Sequence, residues 1–274
     1  MKVRTFFVCG WMLAMVGAQL SAAQVYGPSQ HTVAYPSGPK IKVLLEKDVS
    51  SAFLEARGAF RVIRKDGGAI LSSGKLGKRF VVHALQDGLR WGEEYPDVYQ
   101  ITVIPLASNS CLYVNGIQYK GAISIYHVRD NHVTIVNEVS IEDYVKATLS
   151  IQYEEIFPKE AMAALAIAAR TEAYNRALQG QSITRPWDVT AQDANYYGFG
   201  VTQRKNGVEE AVDWTRYMVI ESIKQNGSAQ NVHLSSAKAD ELAKKGFDAQ
   251  KILKATFPHT KIGATIDADE VTIR

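Results

Sequence analysis

Ala161, Ala163, Ala164, Ala166, Ala168, Ala169 and Ala173 crowd the stretch between Pro158 and Gly180. Pro158 fits the first turn of a helix, where its missing amide costs nothing, and Gly180 supplies a left-handed stop. A helix with so little side-chain bulk lets other backbones approach on almost any face, so it belongs at the centre of the fold. Arg170 lies within that small-residue surface. Its guanidinium is either a surface group on a narrow polar face or a buried fork paired with a carboxylate or a substrate. Upstream, Ser140 sits where an N-cap hydroxyl meets free amides, with Asp143 three residues on. Tyr144, Val145, Thr148 and Leu149 follow at helical spacing, which predicts a short helix ending near Ser150. Glu154 and Glu155 occupy the turn between the two helices, where the dipole of the second favours negative charge.

The chain from Lys40 to Val139 has a different rhythm. Short β-branched and aromatic runs such as IKVLL, FRVI, RFVVHAL, VYQITVI and AISIYHV are separated by Gly, Asp and Asn turns, the pattern of consecutive strands. HVRDNHVTIV reads as a hairpin with Arg129, Asp130 and Asn131 at its tip. His127 and His132 flank that tip, but with no third ligand in view they read as strand residues. Residues 181 to 230 read as irregular apart from a strand in TRYMVIESI. Residues 235 to 257 read as two short helices divided by Gly246, the second capped by Asp248. The fold class is therefore α+β, with a strand-rich N-terminal half (40–139) packed with a helical core and C-terminal part (140–274) that carries a substrate groove. No internal repeat or low-complexity tract interrupts it.

The first 23 residues place Lys2 and Arg4 before an apolar run from Phe6 to about Val16 and end in Ser21 and Ala23, the pattern of a cleaved export signal. The apolar run is shorter than the roughly 20 residues that a membrane span requires. The expected location is the periplasm or cell envelope. Residues 24–39, broken by Gly27, Pro28, Pro36, Gly38 and Pro39, read as a linker. Cys9 leaves with the signal, so Cys111 alone remains and no intramolecular disulfide can form. Of 31 Lys and Arg, Lys2 and Arg4 also leave, and the rest nearly balance 28 Asp and Glu. That balance excludes the basic surplus expected of a nucleic-acid partner and suits a neutral glycan.

The run IEDYVKATLSIQYEEIFPKEAMAALAIAARTEAY (141–174) resembles the core signature of the stage II sporulation protein D (SpoIID/LytB amidase-enhancer) family. That signature is a Glu-Asp-Tyr helix, an acidic turn and an Ala-Ala-Arg-Thr helix, in this order and spacing. WDVTAQDANYYGFG, AVDWTRYMVI and LSSAKADELAKKGFDAQKILKATFPHTKI resemble its later blocks, and together the matches cover most of the chain after residue 40. The resemblance implies binding to peptidoglycan glycan strands in cell-wall remodelling. Active members are lytic transglycosylases, and the LytB name suggests enhancement of a partner amidase or other cell-wall hydrolase.

Two departures bear on activity. The ungapped match puts Gln152 at the family's essential Glu, and a carboxamide can neither give nor take the proton that glycosidic cleavage needs. Glu154 and Glu155 are the neighbouring carboxylates that a small backbone shift would bring into service. Where the family often carries Cys and His able to hold zinc, this chain has Gln192, Asp193 and Ala194, so neither a metal nor another cofactor is implied. By the same alignment Asn195 and Tyr197 are substrate-binding candidates, joined by Arg170 where its fork meets a substrate, with Tyr196 and Trp187 as further groove-lining aromatics. Two readings follow from the resemblance: a glycan-strand-binding protein that does not cleave, or an active lytic transglycosylase acting on denuded strands.

Overall fold

The computed structural model describes residues 38–265 apart from 66, 154–155, 180–184, 200–206, 224–226 and 229–231. The stretch read as an export signal, and the linker up to residue 37, lie outside the described residues. Among those described, no helix is long and apolar enough to cross a membrane.

Twelve strands come first: β1 (Lys40–Val49), β2 (Ser51–Arg57), β3 (Phe60–Arg64), β4 (Ile70–Gly74), β5 (Lys78–Leu85), β6 (Gly88–Trp91), β7 (Glu93–Pro96), β8 (Gln100–Pro105), β9 (Cys111–Val114), β10 (Ile117–Tyr119), β11 (Ala122–Val128) and β12 (His132–Ser140). The helical part follows with α1 (Ile141–Gln152), α2 (Lys159–Leu178), β13 (Val189–Thr190), α3 (Val208–Trp214), β14 (Met218–Ser222), β15 (Gly227–Ser228), α4 (Ser236–Lys244), α5 (Ala249–Thr256) and β16 (Thr260–Ala264). The α+β class and the division into a strand-rich first half and a helical second part are as the sequence predicts.

The strands form a seven-stranded sheet in the order β13-β1-β12-β11-β8-β3-β4, a six-stranded sheet in the order β10-β9-β2-β5-β6-β7 and a three-stranded sheet in the order β15-β14-β16. Only Ser50 separates β1 from β2, so the chain passes directly from the first sheet into the second. Alternation does the packing: in β2, Ala52, Leu54 and Ala56 are buried while Ser51, Phe53 and Arg57 face out, the period-two pattern of a half-buried strand. Phe60 of the first sheet meets Trp91 of the second edge-to-face at 5.5 Å, and the Trp91 indole N–H donates to the Leu54 carbonyl at 2.9 Å. The wholly buried Trp91 thus joins both sheets with its polar atom satisfied.

Helix α2 is the hub of the second part, packing against α1, α3, α4, α5, β14 and β1. Ala161, Ala163, Ala164, Ala166, Ala168 and Ala173 are all buried, which is what their small size permits. The Thr171 hydroxyl donates to the Ile167 carbonyl at 2.7 Å and accepts the Ile220 amide at 2.9 Å, tying β14 to α2. Ser140 caps α1, accepting the Asp143 amide at 3.1 Å and donating to the Asp143 carboxylate at 2.8 Å. Asp248 caps α5 through the Lys251 amide at 2.7 Å.

Two details differ from the sequence reading. Helix α1 runs two residues past Ser150, to Gln152. The stretch 181–230 holds a further helix, α3, which follows a left-handed Gly207. His127 and His132 are strand residues, in β11 and β12, where His127 pairs with Val133 and His132 with Val128; His127 also stacks on Tyr99 at 5.3 Å. The Gly180 stop lies outside the described residues, and Gln179 caps the described end of α2.

Candidate functional site

Where α1 and α2 meet, they leave a cleft of about 260 Å³. Tyr144, Thr148 and Gln152 line it from α1 at i, i+4 and i+8, one face of the helix. Leu165, Ala169, Glu172 and Arg176 line it from α2, and Asp193–Asn195 and Val232–Leu234 close the sides. The small Ala168 and Ala169 make room between the helices. A second cavity of about 470 Å³ shares Glu172, Arg176, Val232 and His233, and adds Arg185 and Asp188.

The loop bearing Asn195 is held from below. Thr190 Oγ1 accepts the Asp193 amide at 3.1 Å, and Asn195 adopts a left-handed conformation, φ 50°, that asparagine tolerates better than most residues. Tyr196 is fully buried between Tyr119 at 5.8 Å and Tyr144 at 5.5 Å. Its hydroxyl donates to Asn137 Oδ1 at 2.7 Å, and the Asn137 amide donates to the carbonyls of Lys120 and Ala122. Burial raises the Tyr196 pKa well above 10.0, with the neighbouring Tyr119, Asp143 and Tyr144 adding to it. Burial also pushes Tyr144 up to about 12, Arg176 lowering and Glu172 raising it. Gly198, at φ 79°, lies so close to the Gln118 carbonyl that a Cβ would stand 2.3 Å from its oxygen. The next amide, of Phe199, donates to that same oxygen at 2.7 Å. A side chain there would break the clip between the loop and β10.

The residues singled out from the sequence divide sharply. Gln152 and Asn195 are exposed and share the cleft. Tyr197 is 47% exposed but does not line the cleft, and the buried Tyr196 has no face left for a sugar. Glu154 and Glu155 lie outside the described residues. Arg170 is 1% exposed. Its Nε and Nη2 donate to the two Glu142 oxygens at 2.8 Å each, Nη2 also to the Val212 carbonyl at 3.0 Å, and Nη1 to the Met218 carbonyl at 3.1 Å and Thr215 Oγ1 at 3.4 Å. Every guanidinium N–H is thus engaged by protein. Of the two alternatives left by the sequence, this is the buried fork, and its partner is a carboxylate of the Glu-Asp-Tyr helix.

Glu172, Arg176, Asp193 and His233 are cleft residues that the sequence reading did not place in a groove. Glu172 and Arg176 were legible, because they continue the face of α2 that begins at Leu165 and Ala169. His233 was not, since its segment follows residues with no periodic pattern. Glu172 and Arg176 pair at 2.6 Å with both side chains well exposed, a contact of small net worth that a ligand can rearrange. Chemically, the cleft offers a carboxamide at Gln152, two carboxylates, an imidazole and a guanidinium. Among the described residues, no group of three or more His, Cys, Asp and Glu is placed to hold a metal ion.

Residues 129–221 match the family model SpoIID, Stage II sporulation protein, a span that includes β12, α1, α2, the Asn195 loop and α3. The chain is 41% identical over 238 residues to an uncharacterized protein of Chlamydia muridarum (strain MoPn / Nigg), covering 86% of this chain and 79% of that protein. It is 42% identical over 220 residues to an uncharacterized protein of Chlamydia pneumoniae, covering 80% and 79%. A protein of Brachyspira hyodysenteriae (strain ATCC 49526 / WA1), also uncharacterized, is 37% identical over 107 residues, 39% of this chain and 28% of that protein. No solved structure matches the chain significantly.

Proposed function

Because the chain belongs to the SpoIID family and so to a cell-wall-related group of proteins, we propose that it is an exported protein that binds peptidoglycan glycan strands without efficiently cleaving them. Its place of action is the periplasm or cell envelope, and its role is wall remodelling beside a partner amidase or other cell-wall hydrolase. One observation carries the reading: Gln152, aligned with the family's proton-transferring Glu, is exposed in the cleft between the two signature helices. A carboxamide there can hydrogen-bond to sugar hydroxyls but cannot protonate a leaving oxygen. Loss of such a group typically forfeits about 10²- to 10⁴-fold in rate.

A second reading, an active lytic transglycosylase, draws support from a different observation. Glu172 and Asp193 bring carboxylates to the same cleft, and either is a chemically competent proton donor if a strand lies against it. The two readings separate in one experiment. The chain without its export signal is incubated with insoluble peptidoglycan and with purified denuded strands, then assayed by co-sedimentation and by mass spectrometry for anhydro-ended products. Binding without products is expected. Abundant anhydro products abolished by Glu172→Gln or Asp193→Asn would replace the first reading by the second, and absence of binding to either material would remove both.

A further inference from the structure

A larger cavity, about 530 Å³, lies apart from the cleft on the outer side of the seven-stranded sheet. It crosses β1, β12, β11, β8 and β3, and its apolar lining comes from Ile63, Ile104, Pro105, Leu106 and Ala122. Lys40, Lys65 and Lys120 also line it, against the carboxylates of Glu138 and Asp143. Lys40 and Lys65 both reach Glu138, at 3.3 and 3.9 Å, and Lys120 reaches Asp143 at 2.9 Å. Three ammonium groups therefore face two carboxylates across an apolar floor. Among the described lining residues lysines thus outnumber carboxylates, which beside a hydrophobic hollow is complementary to a ligand with one negative charge and a hydrophobic body. The volume falls within the roughly 300–1,000 Å³ of small-molecule sites.

We infer that this hollow is a binding site for an amphipathic monoanion, a molecule of one carboxylate or comparable anionic head and an apolar body. The lysines hold the head and the isoleucine-lined floor holds the body. The site abuts the helical part, because Lys120 also lies 3.7 Å from the centre of the Phe199 ring and Asp143 sits in the first turn of α1. An anionic head drawing on Lys120 competes directly with Asp143. The inference is independent of glycan binding, since none of these residues lines the cleft.

The test uses the fluorescent probe 8-anilinonaphthalene-1-sulfonate, a bicyclic apolar body with one sulfonate, titrated into the full chain lacking only its export signal. The expected result is saturable one-to-one binding, displaced by dodecanoate and not by dodecyltrimethylammonium at equal concentration. Lys40→Gln with Lys65→Gln, both at the surface, should weaken binding about tenfold or more, a loss of about 1.4 kcal/mol or more, and raised salt should weaken the wild type in the same direction. Ala122→Phe should fill the hollow and abolish binding, with circular dichroism matching wild type. Should that variant fold poorly, the lysine pair and the salt titration still decide. Absence of saturable binding, equal displacement by the cationic detergent, or undiminished affinity in the lysine variant would overturn the inference. Self-association, seen by sedimentation, that excludes the dye would assign the face to a second copy of the chain and overturn it as well.

Discussion

Replacing Arg170 by Met removes one partner of a nearly solvent-free ion pair while keeping most of the side-chain volume. The Glu142 carboxylate, its side chain 14% exposed, then keeps, among the described residues, only the Tyr217 amide at 3.3 Å. Breaking a buried pair by removing one side costs about 3–5 kcal/mol, and the carbonyls of Val212 and Met218 lose a donor as well. Against a total stability of about 5–15 kcal/mol, the variant should remain folded but sit much nearer the threshold. With a urea slope of about 2 kcal/mol/M, the unfolding midpoint should fall by about 2 M. Adding Glu142→Leu should recover part of that loss, because the stranded charge disappears, but not all of it. The two carbonyls remain unpaired at about 1–3 kcal/mol apiece. Urea unfolding followed by circular dichroism, run beside peptidoglycan co-sedimentation, measures both quantities. A stability loss under about 1 kcal/mol together with abolished pelleting would show that the guanidinium serves the ligand and not the frame, and would refute this account.

Three further outcomes are expected. Gln152→Glu should gain anhydro-product release that increases as pH falls from 7 towards 5, because an exposed Glu titrates near its ordinary value of about 4.3 and must be protonated to act as an acid; a gain that is flat over this range would contradict the exposed placement. N-terminal sequencing of the envelope fraction should begin at or near Gln24, whereas full-length protein confined to the cytoplasm would end the export proposal. In alkali, Tyr119 and Tyr144, pushed up to about 12 chiefly by burial, and Tyr196, raised well above its usual value by burial, should stay protonated in the folded chain. Since these folded pKa values exceed the unfolded value of about 10, their contribution to stability is complete below pH 10 and is lost as pH rises from 10 through 12. Phenolate absorbance showing every tyrosine ionised near pH 10, with circular dichroism unchanged, would contradict that burial.

Much of this architecture was legible in the sequence because local chemistry and tertiary role agree. Ser140 and Asp248 cap the helices they precede, and the alanines of α2 announce a helix that others must surround. Arg170 shows the limit of such reading. A lone guanidinium among alanines implies a partner, but nothing in its spacing reveals whether that partner is Glu142, 28 residues earlier, or a ligand. Burial inverted one further expectation. Tyr196 and Tyr197 are adjacent and chemically alike, yet the first fills the core and the second faces solvent without reaching the cleft. Gln152 is exposed because it occupies the last turn of α1, where its side chain points into the open cleft. Helix α3 escaped notice because its seven residues are too few to establish a period.

The pairing of β13 with β1 also sets an order of events. Val189 and Thr190 run parallel to Val43 and Leu44, and the Lys42 amide donates to the Asp188 carboxylate at 2.8 Å across a sequence separation of 146. Contacts this distant must await the loop-closure cost that nearer contacts avoid. The hairpins β5–β6, β9–β10 and β11–β12 therefore have local partners well before residues 188–190 dock on β1, and the Asn195 side of the cleft should be among the last parts of the molecule to become ordered. A chain released before residue 188 would carry an open, alternately apolar β1 edge, the kind of surface that templates aggregation. Completing the cleft and protecting that edge are thus a single folding step.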